Sequence, residues 1–317
     1  MKFNPTNTGL LLLSSFICSF LLVLFSHNLR ASELYFIDAH SQVDHNLKNL
    51  ELIIQRMDDG GVYRTILSTR SGRKPEEVAS FAEAYSDRIV PAVRTKSGAY
   101  NKNHPKYYKK LRKQLDSGLF KAMAEVLMYH AQKGNKAPEV IVYPDDQRVR
   151  AALNAAIENA WPFVIHIEFR SLRGKKRQQF MAEMEELLRA HSGHPFALNH
   201  MGQLNVAEVH ILITNHQNIY FLTAHTNPAI IRHSNQPWVN MFRGAAIAKE
   251  WKELLLQHPD RFIFALDNVW ERHWKEFYLD QMEYWRKAIG DLPRDVAHAV
   301  AHGNAERLWK IPPKLDK

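Results

Sequence analysis

Cysteine is almost absent from this 317-residue sequence, whose single cysteine, Cys18, lies in an apolar run near the N-terminus. One cysteine cannot form an intramolecular disulfide, so the folded part must be stabilised by a packed core. A hydrophobic content of 45% in a chain of this length is sufficient for that. Because Cys18 lies inside the apolar run, a cysteine nucleophile is also excluded.

Charged residues are missing from residues 10–25, LLLLSSFICSFLLVLF, which follow a short segment carrying Lys2. This run is slightly shorter than the ~18–20 residues of a membrane-spanning helix. We therefore predict a signal peptide, residues 1–31, cleaved after Ala31 and followed by one domain, residues 32–317. The protein would then be exported to the periplasm or cell envelope. An N-terminal membrane anchor that is not cleaved is the alternative, and it would be the only contact with the membrane.

From residue 34 onward, short β-branched or aromatic runs alternate with longer amphipathic ones. The short runs predict strands at residues 34–39, 62–68, 89–93, 120–126, 162–168, 195–200, 219–223 and 261–266. Helices are predicted at residues 47–59, 75–86, 175–191, 206–215, 245–257 and 270–289, with a further helix that Asp145 caps and that ends at Glu158. Residues 127–146 carry no clear pattern and are predicted to form an active-site loop.

Eight strands with helical connections predict an α/β fold, a single-domain (β/α)8 TIM barrel with extra C-terminal helices. A doubly wound open sheet is the alternative. Such a sheet usually carries a glycine-rich phosphate-binding turn after its first strand, and glycine is missing from the corresponding segment, DAHSQVDH. The barrel is therefore favoured.

Polar side chains stand where the predicted strands end. In a barrel these ends meet at one mouth, so their side chains converge on its axis. Imidazoles and carboxylates are ligands for zinc, manganese or iron, and the pattern thus predicts a metal site. The residues are Asp38, His40, Glu125, His166, Glu168, Asn199, His200, Thr223, His225 and Asp267.

Several motifs resemble those of the amidohydrolase superfamily, specifically its amidohydrolase-related group of (β/α)8 metal-dependent hydrolases and decarboxylases. FIDAHSQ resembles the Asp-x-His-x-His of strand one, AEVLMYH the Gly-Glu segment of strand four, and VIHIE the strand-five histidine. LNHMGQL is similar to the His-x-Gly of strand six, DRFIFALDNVW to the strand-eight Asp motif, and VAHGNAERLWKI to the closing Asn-Ala-x-Arg-Leu. The similarity extends over nearly all of residues 32–317.

The resemblance implies a divalent metal cofactor, most simply zinc, with His40, Glu125, His166 and Asp267 as ligands. Asp267 would also be the general base for metal-activated water. His200 would be catalytic, either as a ligand of a second metal or as a hydrogen-bond donor to substrate. The implied activity is hydrolysis or decarboxylation of a small molecule.

Gln42 departs from the family pattern, because it stands where a second histidine ligand is expected. Three interpretations are open. Glu125 and His200 could complete a shifted mononuclear site, the enzyme could work without metal and use Gln42 to bind substrate, or the barrel could be a degenerate, inactive binding protein of the cell envelope.

Arginines follow three of the predicted strands: Arg70 after strand two, Arg94 after strand three and Arg170 after strand five. A guanidinium group can bind a carboxylate or phosphate through two parallel hydrogen bonds. Together with a formal net charge of +9, these residues predict a small anionic substrate. Nucleic acid is not a predicted partner.

Overall fold

The computed structural model describes residues 34–133 and 138–315. The predicted signal peptide, residues 1–31, and Cys18 lie outside these ranges. Within them, no helix combines the length and the apolar character that are needed to cross a membrane.

Parallel strands form most of the sheet structure. In chain order the described strands are β1 (Phe36–Val43), β2 (Val62–Thr69), β3 (Ile89–Val93), β4 (Ala122–Met123), β5 (Val126–His130), β6 (Val140–Ile141), β7 (Phe163–Ile167), β8 (Phe196–Leu198), β9 (Ile219–Leu222), β10 (Phe242–Arg243), β11 (Ala246–Ile247) and β12 (Phe262–Ile263). Hydrogen-bonded neighbours run β1-β2-β3-β4 in one sheet and β12-β9-β8-β7-β5-β6 in another. Only the β5-β6 and β10-β11 pairs among these are antiparallel.

Helices connect the strands and pack outside them. They are α1 (Glu51–Gly60), α2 (Pro75–Ala84), α3 (Gly98–Asn101), α4 (Lys106–Asp116), α5 (Gln147–Glu158), α6 (Gly174–Ala190), α7 (Val206–Asn215), α8 (Pro228–Ile231), α9 (Lys249–Gln257), α10 (Tyr278–Gly290), α11 (Arg294–His298) and α12 (Asn304–Trp309). One-turn π-helical segments, His273–Phe277 and Ala299–Gly303, precede α10 and α12.

Strand four of the barrel is broken into β4 and β5 by Ala124 and Glu125. β4 pairs with β3 and β5 pairs with β7, so the two pieces join the two sheets. The backbone N–H of Ala124 donates to the carbonyl of Val93 at 3.0 Å across the break. The strand therefore continues around the barrel, with Glu125 at the irregularity.

The barrel closes where β1 meets the segment that follows β12. The Ala39 N–H donates to the Phe264 carbonyl at 3.0 Å, and the Asp267 N–H donates to the His40 carbonyl at 2.8 Å. The buried Asp38 carboxyl accepts the Leu266 N–H at 2.9 Å in the same seam. These contacts complete the predicted (β/α)8 barrel.

Alanine is common in the hydrophobic cluster inside the barrel. This cluster combines small side chains with larger aliphatic and aromatic ones. Its alanines include Ala39, Ala92, Ala122, Ala124, Ala197, Ala224 and Ala265, all buried. A second, larger cluster lies between the sheet and the helices. The polar site is located above the inner cluster, at the carboxyl ends of the strands.

Each predicted strand overlaps a barrel strand, but three local predictions were wrong. Residues 127–146 are not a continuous loop, because most of β5 and all of β6 lie there as an antiparallel pair. Asp146, not Asp145, caps α5, and its carboxylate accepts the Arg148 N–H. Residues 246–247 form β11, so the helix predicted from residue 245 begins at Lys249.

Helix α4 was not predicted from the sequence. Its buried face consists of only Tyr107, Leu111 and Gln114, and the rest of the helix is strongly basic. Its apolar residues recur at helical spacing, but they are few, and the surrounding basic residues make the segment resemble a solvated loop.

Candidate active site at the barrel mouth

A register irregularity in β1 places two polar residues inside the barrel. The pairing of β1 with β2 shifts between Asp38 and Ser41. Ile37, before the shift, belongs to the inner cluster, and both His40 and Gln42, after it, contact carboxylates in the interior. Strict alternation would put Ile37 and His40 on opposite faces. The irregularity thus turns His40 and Gln42 toward the barrel axis.

Glu125 is the most heavily hydrogen-bonded group in the site. It is 1% exposed and accepts hydrogen bonds from Gln42 Nε2 at 3.2 Å and from Asn199 Nδ2 at 2.7 Å. His166 Nδ1 lies 2.7 Å from its Oε2, and the Lys96 ammonium group contacts its Oε1. Residues from four other strand ends therefore converge on this one carboxylate.

Asp267 provides the second buried carboxylate. Its Oδ1 accepts a hydrogen bond from Gln42 Nε2 at 2.9 Å and lies 3.4 Å from His40 Nε2, and its Oδ2 lies 3.3 Å from His200 Nε2. Gln42 thus bridges the carboxylates of Asp267 and Glu125. A reversed amide would place the Gln42 oxygen against two carboxylate oxygens, so the nitrogen must face them. Gln42 acts here as a donor between two acids.

Three residues of the site adopt left-handed backbone conformations, with φ of 54° at His200, 57° at His225 and 50° at Asp267. Residues other than glycine rarely adopt such angles. The few residues that do so are concentrated at functional sites. Each residue follows the end of a barrel strand. This backbone turn keeps its side chain over the barrel mouth.

Both carboxylates are ionised at neutral pH. Burial alone would raise the pKa of Glu125, but the Lys96 ammonium group and the contact with His166 hold that pKa well below its ordinary value. Burial and the nearby Glu125 would likewise raise the pKa of Asp267, yet the His200 hydrogen bond and His40 keep it below the usual range. The site therefore contains two fixed negative charges in a region that solvent barely reaches.

The pKa values of two imidazoles in the site are shifted in opposite directions. Burial lowers the pKa of His200, which keeps this ring neutral, although Asp267 opposes the effect. For His40 burial acts in the same direction, but the nearby carboxylates of Glu125 and Asp267 outweigh it and raise the pKa. His40 and His200, which both lie beside Asp267, therefore differ in how strongly they bind a proton.

His40 Nε2 is a buried nitrogen that has no hydrogen-bond partner among the described residues. It lies 3.4 Å from Asp267 Oδ1 and 3.6 Å from Glu125 Oε1, so a small cation among the three atoms would satisfy all of them. Donor atoms within 4.8 Å of one another occur in three sets: His40, Glu125 and Asp267; Glu125, His166 and His200; and His200, His225 and Asp267. This donor set fits a divalent metal, and the predicted ligands are brought together.

Trp238 and Lys133 also approach the site, and the sequence patterns gave no sign of them. The Trp238 ring lies 4.5 Å from that of His200 and 4.9 Å from that of His225. Lys133 lies 5.1 Å from the Trp238 ring and 2.6 Å from Glu168 Oε1. Both residues lie on connections without periodicity, so only the tertiary structure locates them.

The predicted substrate-binding arginines separate into two groups. Arg70 and Arg94 line a cavity of about 240 Å³ together with Lys96 and Trp270. Neither arginine forms an ion pair with a carboxylate of the described residues. Arg170 does not line this cavity: it is exposed and donates to the Trp238 carbonyl at 3.1 Å. The cavity is therefore positively charged and adjoins Glu125 through Lys96.

The family model for amidohydrolases, Amidohydro_2, matches residues 97–311, more than half of the chain. The chain belongs to the amidohydrolase family. The match includes Glu125, His166, His200 and Asp267 but begins after His40. Membership makes the protein an enzyme of the hydrolase or lyase type, as its sequence predicted. No curated protein matches the chain.

Solved structures with the same fold come from several bacteria. An uncharacterized TIM-barrel protein from Bordetella bronchiseptica is 16% identical, with a TM-score of 0.54 and 83% of each chain covered. The 2,6-dihydroxybenzoate decarboxylase from Rhizobium is 13% identical, with a TM-score of 0.57 and coverage of 87% of this chain and 99% of that one. The 4-oxalomesaconate hydratase from Rhodopseudomonas palustris is 13% identical, with a TM-score of 0.56 and coverage of 87% and 96%. At these identities the amidohydrolase fold is what they share.

Proposed function

We propose that this amidohydrolase is a metal-dependent hydrolase or decarboxylase of a small anionic molecule, with zinc as its metal. One observation carries the metal assignment: the buried, unpartnered His40 Nε2 lies within 3.6 Å of carboxylate oxygens from both Glu125 and Asp267. Imidazole nitrogen and carboxylate oxygen are donors that zinc prefers. His40, Glu125 and Asp267 would hold the ion, and His166 would complete or orient the set through Glu125.

Such an ion would supply Lewis acidity toward water or a substrate carbonyl. The protein's own groups divide the remaining work. Asp267 presents Oδ1 to His40 and Oδ2 to His200, so one oxygen faces the cation site while the other can accept a proton as general base. His200, kept neutral by burial, can accept that proton from Asp267 or hydrogen-bond to the substrate. The Trp238 ring packs against His200, which is 3% exposed.

The cationic cavity supports the anionic substrate. Arg70 and Arg94 place positive charge around a space of about 240 Å³, large enough for a small organic acid. Burial and the nearby Arg70 lower the pKa of Arg94, and both side chains line the same cavity. A substrate carboxylate would neutralise them and would point its reacting end past Lys96 toward the metal ligands.

We also propose that the enzyme acts outside the cytoplasm, since residues 1–31 read as a signal peptide or anchor. Mass spectrometry of the protein from the cell envelope would give the mature N-terminus. A cytoplasmic product that retains Met1 would contradict the export proposal.

Zinc titration into chelator-treated protein tests the metal assignment. Isothermal titration calorimetry should detect zinc binding to the wild type, and His40→Gln should weaken it by about tenfold or more, or ~1.4 kcal/mol. His216→Gln is the matched control, because His216 is also buried but pairs with Glu185 outside the site. Equal zinc affinity of His40→Gln and wild type would refute the assignment.

Carboxylate binding tests the substrate class. Thermal shift with benzoate, phthalate and citrate should show stabilisation of the wild type that Arg70→Gln and Arg94→Gln reduce. Arg189→Gln provides the comparison, since Arg189 lies on α6 and pairs with Glu185 and Glu186 outside the site. Equal ligand-induced shifts in all four proteins would exclude this cavity as the anion site.

An inactive barrel that binds an anion without turnover is the second candidate. This candidate is favoured because the carboxylate oxygens of Glu125 already accept hydrogen bonds from Gln42, Lys96 and Asn199. Carboxylate-induced stabilisation with neither zinc binding nor turnover would select it. Turnover abolished by Asp267→Asn would reject it.

A further inference from the structure

Trp270 is an exposed aromatic side chain that lines the cationic cavity. It is 42% exposed, and no other phenylalanine, tyrosine or tryptophan of the described residues is as exposed. Within the same ranges its indole forms no hydrogen bond, stacks on no other ring and has no cation over its face. Large apolar side chains are normally buried, because water solvates them poorly. This uncovered ring is therefore free to contact a molecule in the cavity.

The backbone around Trp270 is fixed by the segment that follows β12. The Trp270 carbonyl accepts the His273 N–H at 2.8 Å, and His273 Nδ1 accepts the Val269 N–H at 3.1 Å. Asn268 is buried, and its side-chain oxygen accepts a hydrogen bond from Gln281 at 3.0 Å. The indole thus projects from an anchored turn, and its place beside the cavity does not depend on contacts of its own.

The rest of the cavity lining is mostly polar and positively charged. Arg94 donates to the carbonyls of Lys96 and Arg73 at 2.9 and 3.1 Å, which fixes its guanidinium group. The Arg70 guanidinium has no hydrogen bond or ion pair within the described residues. Among these residues no carboxylate lines the cavity, and Leu127, 5% exposed, is the only other large apolar side chain there. A ligand therefore meets guanidinium groups on one part of the wall and a flat indole on another.

We propose that Trp270 is a specificity-determining residue whose indole stacks against the ring of a planar, unsaturated carboxylate, while Arg70 and Arg94 bind the carboxylate group. This inference rests on the proposed function and narrows the small anionic substrate to an aromatic or conjugated ring acid. Stacking of two π systems adds attraction beyond the burial of area, about two- to tenfold in affinity. A saturated ring of the same charge buries a similar area but lacks this attraction.

Isothermal titration calorimetry of the purified full-length protein with benzoate and cyclohexanecarboxylate tests this role. The two acids carry the same charge at neutral pH and rings of the same atom count, but only benzoate is planar. Cyclohexanecarboxylate is the more hydrophobic acid, so apolar burial alone would favour it. We expect the wild type to bind benzoate about two- to tenfold more tightly. Trp270→Leu should abolish this preference, and Trp270→Phe should retain it.

Two controls separate this inference from the proposed function. Trp161→Leu should keep the preference of the wild type, because Trp161 precedes β7 at the opposite end of the barrel. Arg70→Gln should weaken the binding of both acids and leave their ratio unchanged, because both acids carry the carboxylate that this side chain binds.

Each outcome decides between the two proposals. Equal affinities of the two acids that Arg70→Gln weakens would overturn the role of Trp270 and leave the anion-binding cavity intact. A benzoate preference that persists in Trp270→Leu would have the same meaning. Affinities that Arg70→Gln leaves unchanged would overturn the proposed anion site, and no binding of either acid to the wild type would overturn both proposals.

Fluorine NMR of the wild-type sequence guards against a folding defect in the variants. Protein labelled with 5-fluorotryptophan gives a fluorine resonance for each tryptophan, and the resonance that is missing from Trp270→Phe belongs to Trp270. Saturating benzoate should shift this resonance through its ring current, and saturating cyclohexanecarboxylate should shift it less. Equal shifts with the two acids would overturn the inference.

Discussion

The substitution Gln42→Met removes the amide that bridges the two buried acids while keeping a side chain of similar size. Gln42 Nε2 lies 2.9 Å from Asp267 Oδ1 and 3.2 Å from Glu125 Oε1, and the residue is 3% exposed. Water cannot easily replace the lost donor. Both carboxylates would keep their charge with fewer hydrogen bonds.

Hydrogen bonds to charged groups contribute about 1.5–3 kcal/mol each to stability. Gln42 makes two of them, and the methionine recovers part of the loss through apolar packing. We therefore expect Gln42→Met to lower the free energy of unfolding by about 3 kcal/mol. Metal must be removed first, because a bound ion would add its own stabilisation.

Urea unfolding followed by circular dichroism measures the effect, and a double-mutant cycle with Asp267→Asn isolates the bond between the two side chains. The cycle should give a coupling energy of about 1.5–3 kcal/mol. Gln114→Met serves as the matched control. Gln114 is also buried, but its amide donates to the backbone carbonyls of Arg94 and Lys110. Its coupling to Asp267 should lie within about 0.5 kcal/mol of zero.

A coupling energy near zero between Asp267 and each of the two glutamines would refute the hydrogen bond from Gln42 to Asp267. Such a result would mean that the Gln42 amide points elsewhere in solution. The placement of His40 by the same irregularity of β1 would then also be in doubt.

Three further outcomes are expected. Burial raises the pKa of Asp38 to about 7, although the hydrogen bonds that its carboxylate accepts oppose this shift. The folded state therefore binds this proton more tightly than the unfolded state does, and the free energy of unfolding falls as the pH rises from about 4 to about 7. Asp38→Asn should remove up to about 4 kcal/mol of that fall in urea titrations, and parallel pH curves would contradict it. Gln42→His should raise zinc affinity about tenfold by calorimetry, since imidazole binds zinc better than an amide does, and an unchanged affinity would count against a metal site there. Gly60→Ala should destabilise the protein by about 1 kcal/mol in thermal melts, because the added Cβ would lie 2.9 Å from Met282 Cγ. Gly290→Ala is the control and should not destabilise the protein, because the space around Gly290 is open. Equal effects of the two substitutions would show that the packing at Gly60 does not contribute to stability.

The sequence alone was sufficient for the barrel and for most of the residues that meet at its mouth. Apolar runs fix where strands lie, and parallel strands of one barrel end on the same side, so polar residues just after those runs must converge. His40, Glu125, His166 and Asp267 were identified on that basis. No distances are needed to predict this convergence, because the fold class supplies the geometry of the strand ends.

Tertiary structure alone decided how these residues interact. Periodicity does not reveal the irregularity in β1 that turns Gln42 inward, nor the break in strand four at Glu125. Gln42 and Asp267 are 225 residues apart, and whether an amide donates to a carboxylate depends on ångström-scale positions set by the packing of different strands. The contact of Lys96 with Glu125 has the same origin: a lysine after a strand is normally solvated, and only the closed barrel makes this one an internal cation.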